Sequence, residues 1–107
     1  MKVKYMKDLR KKELADDLFQ VLASISNKSD MTRFMKDLCT HQEIKAFIER
    51  WHVCQLLYGG DLSYREISEL TGVSLATITR VARSLKDESH LGYKNILDKM
   101  KKKKKPY

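Results

Sequence analysis

Apolar residues recur along this chain at helical intervals. Leu14, Leu18, Leu22 and Ile25 stand at i, i+4, i+8 and i+11, with Phe19 and Val21 widening the stripe, and predict a first helix over 8–25. Ser26 to Asp30 is a break rich in capping residues, after which Met31, Phe34, Met35 and Leu38 mark a short second helix. Thr40-His41-Gln42-Glu43 fits a capping box, in which a Thr hydroxyl and a Glu three residues on satisfy orphan amides reciprocally. It opens a third helix with Ile44, Phe47, Ile48, Trp51, Cys54 and Tyr58 on one face. Val53, Leu56 and Leu57 make the end of that helix apolar almost all round, and such a helix wants burial on several sides. A monomer of 107 residues cannot easily surround it.

The remaining breaks are equally local. Gly59-Gly60 stops the third helix, since glycine tolerates the left-handed conformation of a helix end. Ser63-Tyr64-Arg65-Glu66 is a second capping box, and a short fourth helix follows to Leu70. Thr71-Gly72-Val73 is a corner, and Ser74 caps a fifth helix running to about Lys86. Leu91, Ile96, Leu97 and Met100 allow a sixth, with Gly92 weakening its first turn. No segment sustains a period of two. The fold class is all-α, one domain over 1–107 with six helices.

Residues 63–86 carry the chemistry. A helix-turn-helix needs two short helices crossing over a tight turn with glycine at its corner. Ile67 and Leu70 supply the inner face of the first helix and Ser68 is small; Gly72 sits at the corner with Val73 plugging the gap beneath it. Ile78, Val81, Ala82 and Leu85 supply the inner face of the second. Its other face is Leu75, Ala76, Thr77, Thr79, Arg80 and Arg83, with no acid between Leu75 and Lys86. Leu and Ala pack on a thymine methyl, Thr hydroxyls serve bases or phosphates, and Arg bonds guanine or clamps the backbone. Ser74 and the residues after it offer free amides at a helix N-terminus, and Arg65 is placed for a backbone contact. The competing reading is a dimeric helical protein-interaction adaptor, in which this segment is a degenerate corner and its arginines a solvated face.

Charge sharpens the picture. The chain holds 22 Lys and Arg against 14 Asp and Glu, a net +8. Residues 1–13 contribute +4 and residues 94–107 contribute +6, so the body between them is slightly acidic. Lys101 to Lys105 reads as a frayed, solvated basic tail over 101–107 that follows phosphates without reading sequence. No apolar run is long enough to span a membrane, and the first residues lack a signal-peptide core, so a cytoplasmic protein is expected. His41, His52 and His90 with Cys39 and Cys54 show no metal-ligand spacing. Cys54 and Trp51 read as packing residues. No nucleophile–base–acid set or phosphate loop is present, so neither an enzyme nor a metal site is expected.

The run Leu75-Ala76-Thr77-Ile78-Thr79-Arg80, followed by Ser84-Leu85-Lys86, resembles the recognition helix of the Trp repressor family. Ser63-Tyr64-Arg65-Glu66 ahead of it, and Thr40 to Glu43 with Arg50, are similar to the matching parts of that family. The resemblance covers roughly 14–101 and looks closer to the Trp-repressor-related proteins of Gram-positive bacteria than to the repressor itself. It implies an intertwined homodimer that binds double-stranded DNA at a palindromic operator, as a transcriptional repressor. It also places Arg65, Ser68, Leu75, Ala76, Thr77, Thr79 and Arg80 at the DNA with Tyr64 beside them, and Ser74 and Arg83 join this set from the reading of the helix itself. Ser68 stands where the repressor has lysine, which weakens one phosphate contact, and Tyr64 stands for a glutamine.

The same resemblance implies an effector pocket at Thr40, Arg50, Arg80, Val81 and Ser84, with an indole ring between the two arginines. Val81 replaces the glycine that leaves room beside that ligand, and three extra carbons at a packed site are not readily absorbed. No tryptophan corepressor, and no other cofactor, is expected. An effector, if one exists, is smaller than indole.

Overall fold

The computed structural model describes residues 10–87 and 90–102. Among them lie six helices: α1 (Lys11–Ser24), α2 (Lys28–Leu38), α3 (His41–Gly59), α4 (Tyr64–Thr71), α5 (Leu75–Lys86) and α6 (Gly92–Lys102). No strand occurs among the described residues. The chain divides into two compact units, residues 1–41 and 42–107.

The first unit holds α1 and α2. The start expected at residue 8 and the tail from 103 onward lie outside the described residues, while Lys101 and Lys102, expected in the frayed tail, are helical. The break before α2 works by side-chain chemistry: Asn27 Oδ1 accepts the Asp30 amide at 2.8 Å, so the helix begins at Lys28, a turn earlier than its apolar residues suggest. Neither α1 nor α2 buries a residue, and Leu14 and Phe19 are 43% and 63% exposed. The apolar stripe of α1 is present, with Leu18, Val21, Leu22 and Ile25 half-buried and none of it fully enclosed.

The second unit contains the core. Val53, Cys54 and Leu57 of α3 pack with Ile67 of α4, Val73 of the corner, Ile78, Val81, Ala82 and Leu85 of α5, and Leu97 of α6. The end of α3 is therefore enclosed by its own chain, contrary to expectation. The surplus apolar surface lies half a helix earlier, at Phe47 and Ile48, which are 41% and 62% exposed. Trp51 is half-buried and stacks on Tyr93 of α6 with ring centroids 6.4 Å apart, a packing role as expected. Burial pushes the Cys54 thiol up to about 11, so it stays protonated and acts as a small apolar filler.

A polar clamp fastens α6 to α3 across 40 residues of sequence: the Tyr58 hydroxyl donates to Asp98, which also receives Lys94 Nζ at 3.1 Å. These donors hold the Asp98 carboxyl below its ordinary range, while the tyrosine is raised because its O–H donates a hydrogen bond to a carboxylate. α4 packs on α5, and α5 on α6. The body so formed presents one side of α5 outward.

Candidate nucleic-acid interface

α4 and α5 are set by caps that the sequence spells out. The Ser63 amide donates to Glu66 Oε1 at 2.8 Å and the Glu66 amide donates to Ser63 Oγ at 3.1 Å, a complete capping box. α4 ends at Gly72, whose φ of +76° belongs to the left-handed region. A Cβ there would meet open space, so the demand for glycine is one of backbone angle alone. Ser74 Oγ accepts the Thr77 amide at 3.2 Å and starts α5.

The corner itself is held by hydroxyls. Thr71 Oγ1 donates to the Ile67 carbonyl at 2.7 Å and accepts the Val73 amide at 3.1 Å, while Ser68 Oγ donates to the Val73 carbonyl at 2.8 Å. Leu70, expected on the inner face, is 65% exposed. The correction has a simple cause. Ile67 is fully buried, and residue 71 falls on the Val73 side of it where residue 70 does not, so the inward position belongs to Thr71. A polar residue is tolerated there because both of its hydrogen bonds are made internally. Thr71 was missed for want of apolarity; a Thr just before a corner glycine is the available signal.

The helix faces of α5 separate as the apolar spacing predicts. Ile78, Val81, Ala82 and Leu85 are buried, whereas Leu75, Ala76, Thr79, Arg80 and Arg83 are exposed. Tyr64 and Arg65 are exposed on the first turn of α4. The other three residues expected at DNA have hydroxyls already engaged in the frame. Ser68 is half-buried and donates within the corner, Ser74 caps α5, and Thr77 is half-buried and accepts from Ser74 Oγ at 3.1 Å. The geometry thus sorts the ten into seven that face outward and three that brace them. Arg83 and Lys86 occupy the last turn of α5, where positive charge suits the carbonyl end of the helix dipole.

The effector positions are less coherent. Arg50 of α3 is half-buried with its guanidinium 5.1 Å from the Phe47 ring centroid. Arg80 is exposed on α5, and Val81 is 1% exposed inside the core. Ser84 lines a hollow of about 450 Å3 with His90, Gly92, Tyr93 and Ile96, and neither arginine is part of that lining. Thr40 belongs to the other unit.

The cap also sets a pH response. Backbone and side-chain hydrogen bonds from Ser63 hold the Glu66 carboxyl below its ordinary range. A carboxyl lowered by folding contributes stability above its unfolded value and loses it as pH falls through the lowered one. Glu66→Gln keeps an acceptor for the Ser63 amide but has nothing to titrate. Its stability is expected to fall less than wild type on acidification below roughly pH 4.3, the remainder coming from Asp98. Denaturant midpoints measured across that range check this, and parallel pH profiles for the two proteins would rule it out.

Two short capped helices, α4 and α5, meeting at the left-handed Gly72 with an acid-free face of α5 turned outward define a helix-turn-helix protein. The chain belongs to the Trp repressor protein family, which matches residues 13–101 and is a family of DNA-binding transcription regulators. It is 40% identical over 93 residues to YerC of Bacillus subtilis, covering 87% of this chain and 86% of that protein. It is also 40% identical over 76 residues to a Trp operon repressor homolog of Aliivibrio salmonicida, covering 68% of this chain and 70% of the relative. The crystal structure of a TrpR-like protein from Eubacterium eligens superimposes with a TM-score of 0.78 at 33% identity, over 85% of this chain and 92% of the other. No helix among the described residues is long and apolar enough to cross a membrane.

Proposed function

We propose that this chain is a cytoplasmic, homodimeric repressor that reads a palindromic operator with α5 in the major groove. The observation that carries the reading is the division of α5 into a buried apolar face and an exposed face of Leu75, Ala76, Thr79, Arg80 and Arg83 without acids. Dimerisation is supported by apolar side chains left uncovered on both units, among them Leu14, Phe19, Phe47 and Ile48. In a two-fold dimer the two α5 helices stand about one helical turn apart (~34 Å) and enter successive major grooves. Tryptophan is not required on this reading, which is supported by Val81, enclosed in the core, standing where the resemblance gives the family a glycine.

Selection of bound sequences from a random DNA pool at two salt concentrations tests this directly, and absence of a symmetric motif would refute it. Leu75→Ala is expected to relax base preference at one position by about 1–3 kcal/mol of discrimination. Arg65→Ala is expected to weaken all sequences alike and to lower the salt slope by about one. Exposed Leu70 is the feature that favours the adaptor reading instead. That reading predicts salt-tolerant capture of a protein partner, whereas DNA affinity falls steeply with salt.

A further inference from the structure

We propose that the hollow lined by Leu57, Tyr58, Leu85, Lys86, Leu91 and Lys94 is a binding site for a small amphipathic carboxylate, a medium-chain or aryl-alkyl acid. Its volume is about 490 Å3, inside the range of roughly 300–1,000 Å3 typical of small-molecule sites. Three elements build it. Leu57 and Tyr58 come from the end of α3, Leu85 and Lys86 from the last turn of α5, and Leu91 and Lys94 from the start of α6. None of the five effector positions that the family resemblance assigns belongs to this lining.

The chemistry of the lining selects the ligand. Three leucines give an apolar floor, and two exposed ammonium groups give its rim a positive charge. Of the acids near that rim, Asp98 already accepts hydrogen bonds from the Tyr58 hydroxyl and Lys94 Nζ, and Asp87 follows Lys86 at the end of α5. An ammonium has three donors, so Lys94 keeps two for a ligand, and Lys86 stands on the other helix. An apolar body with one carboxylate matches this pattern; a neutral body wastes the lysines and a polyanion wastes the floor.

Leu91 is a second, independent observation. Among the described residues it is the one non-glycine with positive φ, at +67°. An L side chain there is strained, and strain of this kind collects at ligand clamps. What it secures is visible: the Leu91 carbonyl accepts the Asn95 amide at 2.9 Å to start α6, and its side chain stays 52% exposed at the hollow.

The proposal stands whether or not α5 reads DNA, because uptake is measured with no DNA present. Octanoate and 4-phenylbutyrate are titrated calorimetrically into the full-length protein, with octanamide as the neutral control. Binding of at least one acid below roughly 1 mM, and about tenfold weaker uptake of octanamide, is expected. Lys86→Gln/Lys94→Gln is expected to weaken the acid about fivefold or more while leaving octanamide unchanged. If that double variant fails to fold, Lys86→Gln, which breaks no ion pair among the described residues, carries the same test. Equal binding of acid and amide, wild-type affinity in the lysine variants, or no uptake because a second copy covers the hollow would each overturn the proposal.

Discussion

Ile78→Ala is expected to destabilise the second unit by about 2–5 kcal/mol, whereas Leu70→Ala is expected to stay within about 0.5 kcal/mol of wild type. Ile78 is fully buried, sits on the inner face of α5, and shares the core with Ile67 and Val81. Truncation removes three carbons and leaves a cavity that close-packed neighbours only partly fill. Leu70 is larger in reputation than in effect, since at 65% exposure it has little burial to lose. Total stability for a domain of this size is about 5–15 kcal/mol, so Ile78→Ala removes a large fraction of it. Urea unfolding at fixed protein concentration reads both variants. Operator affinity should fall for Ile78→Ala only as far as the folded fraction falls, because the outward face is untouched. A large loss at Leu70 would mean that its side chain is covered in solution, and would move the argument toward an interface on α4.

The contrast between those two residues shows what the sequence can and cannot say. Caps are local chemistry. Ser63 with Glu66, Ser74 with Thr77, and Gly72 at a left-handed corner act within three residues of one another, so their types and spacing suffice. The inner face of α5 is legible for a related reason: Ile78, Val81, Ala82 and Leu85 follow the helical period without a competing apolar neighbour. On α4 the period offers two positions, 70 and 71, and apolarity chooses the wrong one. Thr71 is inside because its hydroxyl finds a donor and an acceptor there, which only the assembled corner reveals. The clamp from Tyr58 to Asp98 has no local signature at all.

The candidate site follows the same rule. The outward residues Leu75, Ala76, Thr79, Arg80 and Arg83 are those whose positions on α5 leave them exposed. Ser68, Ser74 and Thr77 share their chemistry but are drawn into the frame by hydrogen bonds to atoms within five residues. Their hydroxyls brace the outward face rather than extend it, so on the proposed DNA reading truncating Ser74 should act on all DNA sequences through α5 stability.

Val81→Gly gives the second large effect and bears on regulation. Val81 is 1% exposed in the middle of α5. Losing its side chain forfeits about 1.5–3 kcal/mol of burial, and glycine inside a helix costs about 1 kcal/mol more than alanine. A destabilisation of roughly 2.5–4 kcal/mol is expected, with Tm lower by on the order of 15 °C. Val81→Ala separates the two contributions, since it removes the methyls but keeps a good helix former. The variant also restores the glycine that the Trp repressor family carries at this place. Millimolar tryptophan is therefore expected to raise the Tm of Val81→Gly and to leave wild type unchanged, because a ligand stabilises only a form that can admit it. Stabilisation of the wild-type protein would show that the valine does not close the pocket. Equal indifference of both proteins would mean that Arg50, held over Phe47, no longer serves an indole ring even when room is made.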